Sequence, residues 1–257
     1  MGLDFVRRGS GPPLVLIHGL GGTGGLWSPV VERLEAHRDV IVPDLPGFGG
    51  SAPLTDGSHA TAANLAVPVA ELCGELGVER PDVAGNSLGA WVCLELAKRG
   101  EVRSVAGISP AGLWRNALGP RRRDTRRLGR RLRPMLRALL ATDRGKNALL
   151  RTTVAHPERV PKAAAREMVL GYIDAPGYDA ANAAMRAEPF EHEGKVDVPV
   201  TLAWGEADRL VGPPSRARIP PGARVFTVPG WGHTPTWDDP EGVARLLLEA
   251  SAGTGSG

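Results

Sequence analysis

The chain alternates between short apolar segments and longer segments with helical periodicity, and this alternation constrains its fold more than any other feature. The apolar runs predict strands at 3–7, 14–17, 40–42, 82–84, 102–108, 198–204 and 224–228. The helical pattern predicts helices at 26–36, 61–76, 88–99 and 240–250. Short apolar strands separated by helices pair in parallel, and helices then cover both faces of the sheet. The sequence therefore predicts an α/β fold with a mostly parallel central sheet flanked by helices.

This alternation stops between residues 112 and 194. The segment has no convincing strand pattern, is rich in Ala and Arg, and is interrupted by several prolines. We expect a helical cap inserted between the fourth and fifth main strands. The predicted organisation is a core at 1–111, a cap at 112–194 and the second part of the core at 195–257. The Gly/Ser/Thr-rich tail from Ser251 is predicted to fray.

Arginine is concentrated in the first part of the predicted cap. Ten arginines lie between Arg115 and Arg137, where Asp124 is the only acidic residue, although the net charge of the chain is only +3. We interpret this block as a solvated helix face, and a role in binding anionic substrates or membrane surfaces stays open. We expect no nucleic-acid partner, because no helix-turn-helix, zinc or aromatic RNA-binding pattern is present. The apolar residues expected to turn inward are Leu113, Trp114, Leu118, Leu128, Leu132, Met135, Leu136, Leu139 and Leu140.

The remaining composition excludes several other classes of protein. Cys73 and Cys93 lie in apolar, helical surroundings, so we expect buried thiols and neither a disulfide framework nor a metal site. No secretory signal is visible, and no segment approaches the ~20 apolar residues of a membrane span. We expect a cytoplasmic protein without membrane insertion. Its oligomeric state is left open.

Ser87 is the candidate nucleophile. It lies in Gly85-Asn86-Ser87-Leu88-Gly89, between a predicted strand and a predicted helix. Glycines on both sides of a serine permit a tight strand-to-helix turn that holds the hydroxyl above the sheet edge. An ordinary loop is the alternative interpretation, because five residues alone are a weak signal.

A serine nucleophile needs a base, and the base needs a group that orients it. His233 follows the last predicted strand, and Asp208 follows the strand before it. Both are therefore expected at the same sheet edge as Ser87, with Asp208 as the orienting group and Glu206 as its rival. Taken singly, His233 is equally compatible with a loop histidine, and Asp208 with a helix cap or a turn.

The Gly-rich segment after the first buried strand, Ile17 to Gly22, is the candidate oxyanion loop. Backbone N–H groups of Leu20 and Leu88 are expected to bind a developing oxyanion, and His18 is expected to brace the loop. The glycine spacing fits neither the dinucleotide pattern nor the phosphate-binding loop. We therefore expect no cofactor and no metal.

Together these motifs resemble the α/β-hydrolase family with a helical cap. The resemblance covers roughly 10–110 and 195–250. It rests on motifs in family order: His18-Gly19, Asp44 to Ser51, Gly85 to Gly89, Gly205 to Asp208, and Gly232-His233. It implies a serine hydrolase with the order Ser, Asp, His. Haloalkane dehalogenases and epoxide hydrolases of the family carry aspartate where Ser87 stands, so the resemblance argues against those activities.

Two further residues resemble the subgroup of meta-cleavage product hydrolases, which break C–C bonds. Asn86 and Trp237 match that subgroup, whereas Thr234 stands where it has another tryptophan. The cap has no clear counterpart of that subgroup's carboxylate-binding arginine, for which Arg166 and Arg186 are the candidates.

The function that we predict is hydrolysis of a carboxylic ester of a small, largely apolar substrate through an acyl-enzyme. The alternatives are C–C bond hydrolysis, thioester or lactone hydrolysis, and a non-catalytic ligand receptor of the same fold. A small-molecule substrate is the only partner expected. The candidate substrate-binding residues are Gly19, Asn86, Trp114 and Trp237.

Overall fold

The protein, described by a computed structural model for residues 2–55, 57–120, 125–193 and 195–252, is built on one seven-stranded sheet. The strands are β1 (Phe5–Gly9), β2 (Pro13–Ile17), β3 (Asp39–Pro43), β4 (Asp82–Asn86), β5 (Ser104–Ile108), β6 (Val200–Gly205) and β7 (Arg224–Val228). Their order across the sheet is β1-β3-β2-β4-β5-β6-β7, with β1 antiparallel and the others parallel. The predicted α/β class is confirmed.

Nine α-helices accompany the sheet within the described residues. They are α1 (Ser28–Leu34), α2 (Ala62–Glu75), α3 (Leu88–Lys98), α4 (Thr125–Arg131), α5 (Arg133–Leu140), α6 (Asp143–Leu150), α7 (Lys162–Asp174), α8 (Tyr178–Ala187) and α9 (Pro240–Ala252). Short 3₁₀ turns occupy Gly24–Trp27, Pro157–Arg159 and Arg216–Arg218.

Alternate side chains of β2 show how the two faces of the sheet are covered. Val15 and Ile17 belong to the apolar core that includes α2 and α3, whereas Leu14 and Leu16 belong to the core that includes α1 and α9. The inner strands are buried along their length, while β1 and β7 at the two edges are largely exposed. This is the burial pattern of a parallel sheet with helices on both faces.

The helical segment between β5 and β6 contains α4 to α8 and has no strand among its described residues. Arg121, Arg122, Arg123 and Asp124 of the arginine-rich block, and the predicted frayed tail from residue 253, lie outside the described residues. The boundaries at 111/112 and 194/195 remain a prediction.

The expectation that the cap arginines face water is wrong for Arg126. This side chain is 1% exposed, donates to the carbonyls of Tyr172, Ile173 and Ala175, and pairs with Asp179 at 2.8 Å. Those carbonyls end helix α7, where the backbone leaves unsatisfied acceptors and the helix dipole favours a cation. Burial is therefore compensated by hydrogen bonds that the local sequence does not reveal.

The expected inward direction of the cap's apolar residues is correct only in part. Leu113 and Leu140 are buried, and Trp114 and Leu136 are half-buried. Five others of the set are exposed: Leu118, Leu128, Leu132, Met135 and Leu139.

Both cysteines are buried and free, as predicted. Burial raises the pKa of the Cys73 thiol to about 11 and raises the pKa of Cys93 further. Among the described residues, no helix has the length and apolar character needed to cross a bilayer.

Candidate active site

Ser87 lies in a strained turn between β4 and α3. Its φ is +56°, a left-handed conformation that a non-glycine residue adopts rarely and at a cost of about 1–3 kcal/mol. A side chain at Gly85 would collide with the backbone of Gly89 and Ala90, and one at Gly89 with the carbonyls of Ile17 and His18. The two glycines therefore permit the close approach of β2, β4 and α3 that the turn requires.

Asp208 and His233 form a hydrogen-bonded pair at the ends of β6 and β7. Nδ1 of His233 lies 2.9 Å from Oδ2 of Asp208, and both side chains are almost fully buried. Oδ1 of Asp208 accepts the N–H groups of Leu210 and Val211 at 2.8 and 3.0 Å. The carboxylate that contacts the histidine is thus that of Asp208, while the rival Glu206 is exposed.

The surroundings of Asp208 favour its ionised form. Burial alone acts to raise the pKa of this carboxyl. The hydrogen bond and charge of His233, with the N–H groups of Val211 and Leu210, outweigh burial and hold the pKa below its ordinary value. Asp208 can therefore orient the imidazole and stabilise its cation at neutral pH.

Ser87 and His233 line the same cavity. Because Nδ1 of His233 is engaged by Asp208, Nε2 is the ring nitrogen that remains for a proton from Ser87. No hydrogen bond joins the two side chains in the described part of the chain. Catalytic hydrogen bonds are often long without substrate and shorten when it binds.

The candidate oxyanion loop passes directly against Ser87. A Cβ built on Gly19 would lie 3.1 Å from Cβ of Ser87, and Gly22 N–H closes a turn on the Gly19 carbonyl at 3.0 Å. Leu20 lies within this turn and lines the cavity. Leu88 is the first residue of α3, where the backbone N–H has no acceptor within the helix.

His18 braces the oxyanion loop from behind, which confirms the role predicted for it. Its Nε2 accepts the N–H of Leu45 at 2.9 Å, so Nδ1 carries the proton and donates to the Gly19 carbonyl at 2.8 Å. The ring is fully buried and makes a T-shaped contact with Phe48. Burial lowers the pKa of His18 despite the opposing effects of the Gly19 carbonyl and Asp44, so the imidazole is neutral.

Asn86 connects the serine turn to the histidine loop, the segment 229–239 between β7 and α9 that carries His233. Its Nδ2 donates to the carbonyls of His233 at 2.8 Å and Ile108 at 3.2 Å, and its Oδ1 accepts from Oγ1 of Thr234 at 3.3 Å. Asn86 lines the cavity, but its amide is occupied by these bonds. Its geometry is that of a positioning residue and differs from the substrate contact expected from the sequence.

Asp238 holds the histidine loop to the cap. Its carboxylate accepts the N–H of Gly232 at 2.8 Å and those of Ala155 and His156 at 3.1 and 2.7 Å. Its side chain is buried. Sequence reasoning missed this residue, because two of its three partners, Ala155 and His156, lie more than 80 positions away along the chain. An acid within the histidine loop was the available signal.

The cavity above Ser87 has a volume of about 680 Å³. Its wall includes Gly19, Trp114 and Trp237, three of the predicted substrate-binding residues. The apolar lining includes Leu26, Leu118, Leu136, Leu149, Leu150, Met168, Val169, Ile173, Met185, Leu210 and Val211. Most of the wall is therefore apolar, and several of its residues come from the cap.

Few charged groups reach the cavity. Arg186 is in the wall, but its Nε and Nη2 donate to the carbonyls of Gly119 and Leu118. Glu167 is also in the wall and accepts from Oγ1 of Thr23 at 2.6 Å. Arg166, the other candidate for binding a carboxylate, is not among the residues that line it. In the described residues, no group of three or more potential ligands is arranged to hold a metal ion.

Comparison with known proteins identifies the family. A family model described as "Alpha/beta hydrolase family" matches residues 14–246. Over 97% of its length, the chain is 28% identical to the dihydrolipoyllysine-residue acetyltransferase component of the acetoin cleaving system of Cupriavidus necator, and spans 66% of that protein.

Two other relatives are enzymes with different substrates. Over 37% of the chain, it is 42% identical to the pimeloyl-[acyl-carrier protein] methyl ester esterase of Vibrio vulnificus, of which the match spans 34%. Over 73% of the chain, it is 31% identical to the epoxide hydrolase EphH of Mycobacterium tuberculosis, of which the match spans 93%. The chain therefore spans less than two thirds of the length of the Cupriavidus and Vibrio proteins.

A solved structure shows the same fold. The chain superposes on the carboxylesterase CesB of Bacillus subtilis with a TM-score of 0.73 and 20% identity, covering 97% of this chain and 87% of that one. At this identity the likeness concerns the fold alone.

Proposed function

The chain belongs to the alpha/beta hydrolase family, and we propose that it is a serine hydrolase that cleaves carboxylic esters through an acyl-enzyme. The observation that carries the proposal is the pair of Asp208 and His233, at 2.9 Å, on the wall of the cavity that also contains Ser87. A hydrogen-bonded acid and base beside a serine in a strained turn is the arrangement that activates a hydroxyl.

The reaction proceeds in two steps. His233 Nε2 takes the proton of Ser87 Oγ as the oxygen attacks the carbonyl carbon, and Asp208 accepts the Nδ1–H bond of the resulting imidazolium. The oxyanion is stabilised by the N–H groups of Leu20 and Leu88. His233 then protonates the leaving alcohol. Water attacks the acyl-enzyme by the same route and releases the acid.

Epoxide hydrolysis is the less favoured activity, although one relative is an epoxide hydrolase. In the family members with that activity, the nucleophile is an aspartate whose attack on the epoxide carbon gives an ester, and water can hydrolyse that ester. Attack by Ser87 would instead leave an ether, which the same histidine cannot hydrolyse. Ser87 therefore supports acyl chemistry.

Hydrolysis of C–C bonds is also less favoured. The substrates of the resembling subgroup carry a carboxylate, and Arg186, the candidate arginine in the cavity wall, is bonded to the carbonyls of Gly119 and Leu118. Thr234 takes the place of that subgroup's tryptophan and bonds to Asn86.

The cavity supports an uncharged, largely apolar substrate. Its volume of about 680 Å³ lies in the middle of the range of ligand pockets, and its wall is mostly apolar. Trp114 and Trp237 are proposed to contact the apolar groups of the substrate.

A series of p-nitrophenyl esters with graded acyl chains, together with a thioester, a lactone and an epoxide, tests the proposal. We expect multiple turnovers on esters, and Ser87→Ala should lower kcat by at least ~10³-fold. Ser28→Ala is the matched control, because Ser28 is exposed at the start of α1, outside the cavity wall. A fluorophosphonate should label Ser87 in the wild type and the control only. Near-native turnover by Ser87→Ala would exclude the acyl-enzyme. Binding of the ester by the wild type with no more than a single turnover would indicate a receptor.

A further inference from the structure

Helices α4 and α5 present a continuous apolar stripe to solvent. The stripe consists of Leu128, Leu132, Met135 and Leu139, separated by four, three and four positions. This spacing aligns side chains on one face of a helix. The N–H of Leu132 donates to Leu128 and that of Leu136 donates to Leu132, so the hydrogen-bonding pattern continues between the two helices. Leu128 is 57% exposed and Met135 is 49% exposed.

Cations lie along one side of this stripe. Residues 125–140 contain no acidic residue. The exposed arginines of the two helices are Arg127, Arg130, Arg131 and Arg137. Arg127 and Arg131 each precede a leucine of the stripe, which places them along one side of it. Arg133 is paired with Asp174 of α7 at 2.7 Å. The face is therefore apolar along its centre and cationic beside it.

The opposite face of the same helices packs on the rest of the protein. Arg126 is buried against the end of α7, and Gly129 and Leu136 line the cavity above Ser87. The stripe is thus separated from the cavity by the thickness of one helix.

We propose that this face, the stripe with Arg127 and Arg131, docks the protein on an anionic lipid bilayer. An interfacial helix places apolar side chains at the boundary of the acyl chains, while arginines reach the headgroups. A second copy of the chain fits this face poorly, because symmetric pairing would bring arginines against arginines. A soluble polyanion would use the arginines but not the four apolar side chains. The stripe is therefore what favours a bilayer.

Sedimentation with unilamellar vesicles tests this proposal without any turnover. The vesicles contain either phosphatidylcholine alone or phosphatidylcholine with about 30% phosphatidylglycerol. We expect at least ~10-fold stronger binding to the anionic vesicles at low salt, and a large decrease at about 0.5 M salt, where charges are screened. The variants L132Q/M135Q and R127Q/R131Q should each weaken binding at least ~10-fold, because each removes one of the two attractions.

Matched controls remove similar groups from other surfaces. V6T/V225T removes exposed apolar area from the edge strands, and R8Q/R245Q removes two exposed arginines elsewhere. Both should bind vesicles as the wild type does, and thermal unfolding should show all variants folded. Equal binding to neutral and anionic vesicles would overturn the proposal. The proposal would also be overturned if R127Q/R131Q weakened vesicle binding and L132Q/M135Q did not, because that result would indicate a soluble acidic partner.

Discussion

At the scale of single residues, Asn86 joins the proposed nucleophile, Ser87, to the proposed base, His233. It precedes Ser87 in the chain, and its side chain holds the backbone of His233. A displacement of about 1 Å between reacting groups can cost ~10²-fold in rate. A side chain that fixes the distance between two catalytic loops can thus control turnover without touching the substrate.

We expect Asn86→Ala to lower kcat by about 10–100-fold and to change KM by less than about 3-fold, because it loosens the histidine loop and leaves the apolar wall intact. The steady-state kcat and the rate at which a fluorophosphonate labels Ser87 should decrease together. Thr234→Val is the control, since it removes only the 3.3 Å bond to Asn86. A change confined to KM, or to thermal stability, would show that Asn86 does not position the base.

The ionisation of Asp208 is expected to make the free energy of unfolding depend on pH. Its folded-state pKa is lowered, so on acidification the unfolded chain takes up the proton before the folded chain does. The stabilisation is complete above the ordinary pKa of about 3.9 and is lost as pH falls through the lower folded pKa. Urea unfolding of the wild type between about pH 2.5 and 6 should show this decrease, and Asp208→Asn should show a shallower one.

Asp208→Asn is also expected to lower kcat by about 10³–10⁴-fold at neutral pH. An amide neither stabilises the imidazolium of His233 nor holds the ring in the tautomer that catalysis requires. Glu206→Gln is the control for the rival acid and should retain activity. An identical pH dependence of unfolding in wild type and Asp208→Asn would contradict the role given to this carboxylate.

At the scale of elements, Asp238 fastens the loop after β7 to the segment between α6 and α7. Three backbone N–H groups, from Gly232, Ala155 and His156, converge on one buried carboxylate. Arg159 of the same cap segment also donates to the Asp238 carbonyl. The histidine loop therefore depends on the cap for its conformation.

We expect Asp238→Asn to reduce the free energy of unfolding by about 2–4 kcal/mol, because an amide nitrogen would face buried N–H donors. Asp239→Asn is the comparison. Its Oδ1 caps α9 through Gly242 at 2.9 Å, where asparagine is also a good N-cap, and its Oδ2 accepts one buried donor, Trp231 Nε1, at 3.1 Å. Because only that one donor would face the amide nitrogen, the variant should lose less, about 1–2 kcal/mol. Urea unfolding distinguishes the two, and equal losses would rule out a special role for Asp238.

At the scale of the whole molecule, the sheet and the serine turn could be predicted because their signals are local. Apolar runs mark β2 to β6, and the glycines around Ser87 mark the turn. In the cap, the sequence placed Leu128 and Met135 among the inward residues together with Leu140, but the structure exposes the first two. The sequence could not identify the face that packs, because that depends on α7, which is distant in the sequence.

Long-range hydrogen bonds account for the other differences. Arg126 is buried because it meets the end of α7. Asn86 bonds to His233 because β4 and the loop after β7 meet at one sheet edge. Neither partner is a sequence neighbour, so neither contact leaves a local pattern. The pairing of Asp208 with His233 was easier to anticipate, since both follow strand ends.

The cap and the core approach each other closely at a point where two glycines meet. Gly177 N–H, at the start of α8, donates to the Gly47 carbonyl at 2.9 Å. A Cβ on Gly177 would lie 2.9 Å from Cα of Gly47 and 3.0 Å from the Pro46 carbonyl oxygen. Gly177 has an ordinary negative φ, so a methyl group there is opposed by contact and not by backbone strain. Tyr178, the next residue, lines the cavity, which couples this contact to the shape of the site.

Gly177→Ala is therefore expected to reduce the free energy of unfolding by about 1–3 kcal/mol through overpacking. It should also change KM for the longest acyl chains more than for the shortest, because α8 must move away from the core and carry Tyr178 with it. Gly171→Ala, inside α7, is the matched control: its Cβ would have no atom nearer than 3.9 Å, and alanine should stabilise the helix by up to about 1 kcal/mol. If both variants changed the free energy of unfolding in the same direction, the glycine contact would not set the position of the cap on the core.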